Sequence, residues 1–147
     1  MLKFILLTVV VLILDQGSKY LVRTHMELWQ SIDVLGRFFS ITYIENPGAA
    51  FGIFANQTIF FVLLTFVILV VILLFYRKIN AKNPRTGVAL AVITGGAIGN
   101  LIDRMVKGTV TDMFNFHFWP IFNVADIALV LGLLYVGYRL IRNGEEF

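Results

Sequence analysis

Four aspartates lie in or beside apolar stretches of the chain, namely Asp15, Asp103, Asp112 and Asp126. Ionisable side chains are costly in such surroundings and are by default candidates for function. Two carboxylates that share one proton can activate a water molecule, because the ionised member acts as a base while the protonated member polarises a carbonyl. Like charges held close together raise the pKa of one member, so the pair titrates as a unit. The residue types therefore favour hydrolysis by a carboxylate pair.

The sequence leaves two pairings open. Asp112 and Asp126 are candidates because the stretch between them is short enough to fold back, and because Asp112 stands on the apolar face of a predicted strand. Asp103 with Asp126 is a competing pair. An asparagine stands three residues before Asp103 and before Asp126, at Asn100 and Asn123. An amide one turn away can donate to a carboxylate and fix its orientation, although Asn123 also suits the cap of its helix.

Asp15 and Lys19 are four residues apart and would share a helix face. Such a pair is either a structural ion pair or part of the site, and the spacing alone does not decide. A metal centre is disfavoured because the histidines, His25 and His117, do not have the spacing of paired ligands. The absence of cysteine excludes disulfides, thiolate metal sites and a cysteine nucleophile.

The elements that position these side chains belong in a membrane. Of the 147 residues, 59% are hydrophobic and only 14% are charged, which is more apolar surface than a soluble domain of this size could bury. Four apolar segments predict membrane-spanning helices, since a span needs about 20 residues. The predicted spans cover about residues 2–22, 59–76, 88–104 and 123–141, and we expect one integral membrane domain over residues 1–147.

Basic residues between the second and third spans predict the orientation in the membrane. This stretch contains no acid, and its basic residues are Arg77, Lys78, Lys82 and Arg85. The positive-inside rule then places both chain termini in the cytoplasm and the candidate aspartates towards the outer face. A basic patch that binds nucleic acid would need a soluble surface with interleaved aromatic residues, so we expect no nucleic-acid partner.

The two segments outside the membrane are predicted to fold. Residues 38–44 are rich in β-branched and aromatic side chains, which is typical of a strand. Residues 109–118 alternate with period two, which predicts a strand with Asp112 on its apolar face and with one face on the membrane or core. Residues 26–36 are expected to form an interfacial helix.

Five short motifs, in this order, resemble those of the prolipoprotein (type II) signal peptidases of bacteria, which are aspartic peptidases of the inner membrane. The motifs are DQGSK at residues 15–19, NPGAAFG at 46–52, GGAIGNLIDR at 95–104, VTD at 110–112 and FNVAD at 122–126. The resemblance covers nearly the whole chain. It implies an all-α membrane protein with four transmembrane helices, a small extracytoplasmic β-sheet and an interfacial helix.

The resemblance also implies a membrane aspartic endopeptidase, a signal peptidase II. Its substrates would be prolipoproteins that already carry diacylglycerol on a cysteine, and it would cut just before that cysteine to release the signal peptide. It would need no metal and no cofactor. Its other partners would be membrane lipids and a cyclic lipopeptide antibiotic, which lies across the dyad and blocks members of the family.

For individual residues, the resemblance implies that Asp112 and Asp126 form the catalytic dyad. The implied supporting or substrate-binding residues are Asp15, Lys19, Asn46, Gly48, Asn100, Asp103, Arg104 and Asn123. Among them, Asn46 and Arg104 would bind the substrate backbone, and Asn123 would orient Asp126. The role of the first two residues in the list is left open.

Two other functions fit a small polytopic membrane protein. A transporter would have polar residues along a path that reaches the midplane and the inner side, whereas these polar residues are expected at one level. A non-catalytic assembly subunit would use its carboxylates and glycines only for helix packing, and it would tolerate a change at Asp112.

Overall fold

The computed structural model describes residues 1–48 and 57–143. Its elements, in chain order, are α1 (Leu2–His25), β1 (Ser31–Leu35), β2 (Phe39–Asn46), α2 (Thr58–Lys82), α3 (Pro84–Lys107), β3 (Val110–Asn115) and α4 (Val124–Asn143). The four helices of this described part are each long and apolar enough to cross a membrane. The prediction of four spans with a small sheet is therefore confirmed. Each helix also extends beyond the predicted span at one or both ends.

Helix α3 lies at the centre of the bundle because one of its faces carries small residues. Of the 18-residue apolar stretch of α3, 78% is buried inside the protein, whereas only 6% of the corresponding stretch of α2 is buried. The side chains of α2 therefore mostly point outward. Gly95 lies against Val11 and the backbone of Thr8, while Gly96 lies against the backbone of Ala125. A β-carbon at either glycine would overlap these neighbours, so the small face of α3 lets α1 and α4 approach closely.

Local signals set both ends of α3. Asn83, the single residue between α2 and α3, accepts hydrogen bonds on Oδ1 from the backbone N–H groups of Arg85 and Thr86 at 3.1 and 3.2 Å. Pro84 follows as the first helical residue, where its missing N–H costs nothing. At the other end Gly108, with φ of +81°, takes the left-handed conformation that ends the helix and leads the chain into β3.

The three strands form an antiparallel sheet in the order β1, β2, β3. Ile44 of β2 pairs with Asp112 of β3, so the register of these strands sets the position of that carboxylate. Strands β2 and β3 overlap the two predicted strands, although β3 ends at Asn115 rather than at residue 118. The extended chain is interrupted at His117, which has φ of +62°.

Residues 26–36 do not form the predicted interfacial helix. They contain β1, and the ladder continues before it, since the N–H of Trp29 donates to the carbonyl of Tyr43 at 2.8 Å. The N–H of Tyr43 in turn donates to the carbonyl of Gln30 at 3.0 Å. Pairing with β2 satisfies these backbone groups, and the alternating β-branched residues Ile32 and Val34 suit a strand better than a helix.

Strand β3 also departs from its predicted pattern, because both of its faces are buried at its start. The pattern places Thr111 on the face away from Asp112, yet both side chains are buried. The hydroxyl of Thr111 donates to Oε1 of Glu45 at 3.0 Å and accepts from Nζ of Lys107 at 2.6 Å. These bonds satisfy the hydroxyl inside the protein, which is why a polar side chain can be buried there.

Candidate active site

Asp112 and Asp126 line the same cavity, which has a volume of about 390 Å³. Asp112 lies in β3, and Asp126 lies in the first turn of α4. The polar wall of the cavity includes Asn46, Gly48, Asn100, Arg104, Asp112 and Asp126, and its apolar wall includes Phe61, Ile68, Trp119, Phe122, Leu129 and Val130. Within residues 1–48 and 57–143, no three histidine, aspartate or glutamate side chains gather as ligands for a metal ion.

Each carboxylate oxygen of Asp112 and Asp126 accepts one hydrogen bond from an asparagine. Oδ1 of Asp112 accepts from Nδ2 of Asn123 at 2.6 Å, and Oδ2 accepts from Nδ2 of Asn46 at 2.9 Å. Oδ1 of Asp126 accepts from Nδ2 of Asn100 at 2.8 Å, and Oδ2 accepts from the backbone N–H of Asn123 at 3.2 Å. Both carboxylates are therefore held in fixed orientations, and each oxygen keeps a second lone pair that can bind water.

Asn123 connects the two carboxylates and also caps α4. Its Oδ1 accepts a hydrogen bond from the N–H of Asp126 at 2.9 Å, while Oδ2 of Asp126 accepts from the N–H of Asn123. This reciprocal pair is a capping box, which satisfies two N–H groups at the start of the helix. Asn123 is therefore the helix cap that the sequence allows, but its side-chain amide donates to Asp112 and not to Asp126, whose carboxylate receives from Asn123 only the backbone N–H.

Asn46 orients Asp112 and also lines the cavity. Its Nδ2 donates to Asp112, and its Oδ1 accepts a hydrogen bond from the N–H of Gly48 at 3.0 Å. Because Nδ2 carries a second N–H, the supporting role of Asn46 is compatible with the substrate contact that the resemblance implies. Residues 49–52 of the same motif lie outside the described residues.

Lys19 brings a buried positive charge to the rear of the site. Its Nζ donates to Oδ1 of Asn100 at 2.9 Å. It also forms ion pairs with Asp15 at 2.9 Å and with Asp103 at 3.3 Å. Asp15 and Lys19 thus form an i, i+4 ion pair, as their spacing allows, and Lys19 of this pair contacts the asparagine that holds Asp126.

Asp103 supports the strand that carries Asp112. Its Oδ2 accepts a hydrogen bond from the N–H of Thr111 at 3.0 Å, and its Oδ1 lies 3.3 Å from Nη1 of Arg23. Asp103 does not line the cavity described above, and neither do its partners Thr111 and Arg23. The geometry therefore favours Asp112 over Asp103 as the partner of Asp126.

Arg104 forms part of the cavity wall between Gly48 and α2. Its Nη2 donates to the carbonyl of Gly48 at 3.3 Å, and its guanidinium carbon lies 4.8 Å from the centre of the Phe61 ring. The hydrogen bond and the cation–π contact together hold the guanidinium beside the cavity. Since a guanidinium has five N–H donors, others are available for the carbonyl groups of an extended peptide.

The pKa of Asp112 is raised to about 7, chiefly because burial disfavours the ionised form, with a further contribution from the charge of Asp126. Hydrogen bonds from Asn46 and Asn123 oppose this shift, as does the charge of Lys19. A carboxyl group with this pKa is close to half protonated at neutral pH. The pair can therefore hold one proton, as general acid–base chemistry requires.

Sequence reasoning missed two side chains that complete the network behind the site. Arg23 forms an ion pair with Asp103. Gln16 donates from Nε2 to Oδ2 of Asp15 at 3.0 Å. Arg23 lies four residues after Lys19, so the helical spacing that pairs Lys19 with Asp15 could also have identified Arg23. The sequence carries no comparable signal for Gln16.

Known protein families provide an independent comparison. The model of the family described as signal peptidase (SPase) II matches residues 7–142. The chain belongs to the signal peptidase II family. The lipoprotein signal peptidase of Moorella thermoacetica is 44% identical, over 97% of this chain and 95% of its own length. The lipoprotein signal peptidase of Staphylococcus haemolyticus is 39% identical, over 97% of this chain and 92% of its own length.

The fold of this signal peptidase II is similar to solved structures of bacterial membrane enzymes. One is 34% identical, with a TM-score of 0.90 over 100% of this chain and 94% of that chain. A second is 35% identical, with a TM-score of 0.89 over 97% of this chain and 95% of that chain. The family that the sequence motifs resemble is thus confirmed, together with the prediction of a membrane signal peptidase.

Proposed function

We propose that this signal peptidase II removes the signal peptide from diacylglyceryl-modified prolipoproteins, cleaving before the lipidated cysteine, with Asp112 and Asp126 as its catalytic dyad. The similar proteins bear the name lipoprotein signal peptidase, which supports this class of substrate. The observation that carries the dyad is that both carboxylates line one cavity while asparagines hold all of their oxygens.

In the proposed mechanism the two carboxylates bind one water molecule between them. Asp112, with its raised pKa of about 7, is the protonated member, and Asp126 is the ionised member. Asp126 accepts a proton from the water as the water oxygen attacks the carbonyl carbon of the scissile bond. Asp112 donates its proton to the carbonyl oxygen, which gives a neutral tetrahedral intermediate.

Collapse of the intermediate completes the reaction. The C–N bond breaks, and the proton held by Asp126 passes to the leaving amine, which becomes the N-terminus of the lipidated cysteine. Asp112 takes back a proton from a hydroxyl group as the carbonyl of the signal peptide re-forms. The dyad thereby returns to its starting state, so the steps consume one water molecule and require no redox partner.

The composition of the cavity suits a peptide that carries lipid. Phe61 and Ile68 of α2, with Leu129 and Val130 of α4, form an apolar wall beside the dyad. Val130 is 54% exposed, so this wall continues onto the outer surface of the bundle. We place the diacylglyceryl chains along this wall, among membrane lipids. Arg104 is positioned to bind carbonyl groups of the peptide.

A cyclic lipopeptide would occupy the same space in this proposal. Its peptide ring would lie across Asp112 and Asp126, and its acyl chain would follow the apolar wall. We therefore expect it to compete with the precursor, so that raising the precursor concentration relieves inhibition. Inhibition that is independent of precursor concentration would place the inhibitor elsewhere.

We further propose that the chain is one peptidase domain of the bacterial inner membrane, with both termini in the cytoplasm and the dyad at the outer face. The basic residues at the α2–α3 connection, Arg77, Lys78, Lys82 and Arg85, support this orientation. Because the chain has no cysteine, Arg85→Cys and Asp33→Cys each introduce a unique thiol. A membrane-impermeant maleimide should label position 33 in intact spheroplasts and position 85 only after lysis.

The main test is cleavage of a diacylglyceryl-modified precursor by purified protein in detergent. The parent should cut before the lipidated cysteine, while Asp112→Asn and Asp126→Asn should fold and show only background cleavage. Asp33→Asn, which changes an exposed aspartate of β1, is the matched control and should keep the parent rate. A folded dyad variant that cleaves at near the parent rate would exclude that residue from catalysis.

A further inference from the structure

We propose that Lys19 is a positioning residue of this peptidase, which fixes the side-chain amide of Asn100 so that its Nδ2 faces Asp126. The proposal rests on the catalytic dyad proposed above and assigns a role to a buried cation that the mechanism does not otherwise use.

An asparagine supports a carboxylate only in one of its two amide orientations, because only Nδ2 can donate. In each of the three asparagines the opposite atom, Oδ1, accepts a hydrogen bond that fixes this choice. Oδ1 of Asn46 accepts from the N–H of Gly48, and Oδ1 of Asn123 accepts from the N–H of Asp126. These two asparagines are therefore oriented by backbone groups.

Asn100 is oriented by side chains instead. Its Oδ1 accepts from Nζ of Lys19 at 2.9 Å and from Nδ2 of Asn123 at 3.2 Å. Lys19 has donors and no acceptor, so a flipped amide would set Nδ2 of Asn100 against an ammonium group. The flip would also remove the hydrogen bond of 2.8 Å that Asp126 receives. Lys19 therefore performs for Asn100 the task that backbone N–H groups perform for the other two asparagines.

The charges around Lys19 keep it in place at this depth. Its side chain has 0% exposure, and a charge so buried requires partners. Asp15 and Asp103 carry two negative charges, while Lys19 and Arg23 carry two positive charges, so this cluster is neutral. A buried ion pair by itself is weak evidence for a stabilising role. Lys19, however, also contacts the amide of Asn100 that holds Asp126, so we assign this ion pair a role in the reaction.

Asp15 strengthens the same connection from α1 to the dyad. Its Oδ1 accepts a hydrogen bond from the N–H of Ala125 at 2.9 Å, in the turn of α4 that carries Asp126. Its Oδ2 holds Lys19. One ion pair on α1 thus positions both the amide donor on α3 and the start of α4.

The charge of Lys19 also provides a readout that a purely structural role would not change. The charges that face Asp112 are Asp126 from α4, Lys19 from α1 and Arg104 from α3. The charge of Lys19 lowers the pKa of Asp112. Removal of that charge raises this pKa, so the alkaline limb of the pH–rate profile moves to higher pH.

The experiment compares Lys19→Met with the parent, using purified protein and a diacylglyceryl-modified precursor. We expect kcat to fall by about ten- to a hundredfold, which corresponds to the loss of one charged hydrogen bond, with little change in KM. The alkaline limb should move to higher pH. Lys3→Met removes a lysine at the far end of the same helix and is the matched control; it should match the parent in kcat and in pH profile.

Lys19→Met removes a partner of both Asp15 and Asp103 and could therefore fail to fold. A second variant keeps the proposal testable in that case. Asp15→Asn combined with Lys19→Met keeps the cluster neutral, and the new amide oxygen can still accept from the N–H of Ala125. This variant should also lose kcat, but its pH profile should move less than that of Lys19→Met, because a negative charge 2.9 Å from Nζ is removed together with the positive one. A parent value of kcat in either folded variant would overturn the proposal. So would a lower kcat with an unmoved profile in folded Lys19→Met, or failure of both variants to fold, since each outcome indicates a structural role only.

The same series separates this proposal from the assignment of the dyad. Asp112→Asn is measured beside the lysine variants. If it cleaves precursor, the dyad is wrong whatever Lys19 does. If Asp112→Asn shows only background cleavage while Lys19→Met behaves as the parent, the assignment of the dyad is supported and the positioning role of Lys19 is excluded.

Discussion

Asn123 and Asp112 are joined by a hydrogen bond of 2.6 Å, from Nδ2 of the asparagine to Oδ1 of the aspartate. The two residues are 11 positions apart, one at the start of α4 and the other in β3. This bond brings the strand to the helix that carries Asp126. The same asparagine caps that helix, so helix formation and assembly of the site depend on one side chain.

Asn123→Ala should therefore reduce both stability and activity. The lost cap should lower the free energy of unfolding by about 1 kcal/mol. Asp112 would also lose the amide that orients it, and Asn100, which holds Asp126, would lose one of its two donors, so kcat should fall by about tenfold or more. Asn83→Ala is the matched control because it removes the cap of α3, far from the site. The control should lose similar stability and keep the parent kcat, measured by thermal unfolding and precursor cleavage. Equal losses of kcat in both variants would show that the effect of Asn123 is only structural.

The rate of cleavage should depend on pH through the dyad. Burial raises the pKa of Asp112 to about 7, so its proton, which the mechanism uses, is lost as the pH rises through this value. The profile of kcat/KM should therefore have an alkaline limb near pH 7. Below that limb the activity should reach a plateau, then fall again where the dyad takes up its second proton. A rate that stays constant from pH 6 to pH 9 would contradict the protonated role of Asp112, whose pKa is about 7.

Gly99→Ala should disturb the site from behind. A β-carbon at Gly99 would overlap the carboxylate of Asp15, which holds both Lys19 and the first turn of α4. We expect the free energy of unfolding to fall by about 1–3 kcal/mol, as for other overpacked positions, and kcat to fall with it. Gly17→Ala is the matched control on α1, because no atom lies within 4 Å of the added carbon. It should gain about 0.5–1 kcal/mol from helix propensity and keep the parent kcat. A fully active and stable Gly99→Ala variant would mean that Asp15 can move without consequence.

Glu45→Gln should weaken the three-stranded sheet in a pH-dependent manner. Glu45 is partly buried, which would raise its pKa, but hydrogen bonds from Lys107, Thr109 and Tyr43 leave the pKa below its ordinary value. A carboxylate with a lowered pKa adds stability above its unfolded pKa and loses it as the pH falls through the folded pKa. At pH 7 the variant should be less stable than the parent by about 1–3 kcal/mol, the loss of a charged hydrogen-bond network.

The stabilities of Glu45→Gln and of the parent should become equal at acidic pH, where the parent carboxylate is also neutral. Thermal unfolding at several pH values measures this. Asp33→Asn changes an exposed acid of the same sheet and should show no such dependence. A stability difference for Glu45→Gln that persists in acid would indicate lost packing rather than lost charge.

The segments that connect the helices and form the sheet show where sequence reasoning was limited. Residues 109–118 predict a strand, and β3 forms there because its alternation is a local property of the chain. Residues 26–36 fail as a helix because the backbone groups of Tyr43, in the neighbouring strand, pair with those of Trp29 and Gln30. Propensity in so short a segment is weak, and the available pairing partner decides its structure.

The sequence by itself determined the membrane-spanning helices and the residue types of the site. A long apolar run can bury its backbone polar groups in lipid only as a helix, so this conclusion needs no partner. Residue types and spacing left Asp112 and Asp103 as competing partners of Asp126, and only the family resemblance and the tertiary structure favoured Asp112. The tertiary structure alone showed that Lys19 contacts Asn100. That contact joins residues 81 positions apart, across two helices whose separation depends on glycines of α3. Spacing within one helix predicts which side chains share a face, but the depth and rotation at which helices meet depend on packing between them.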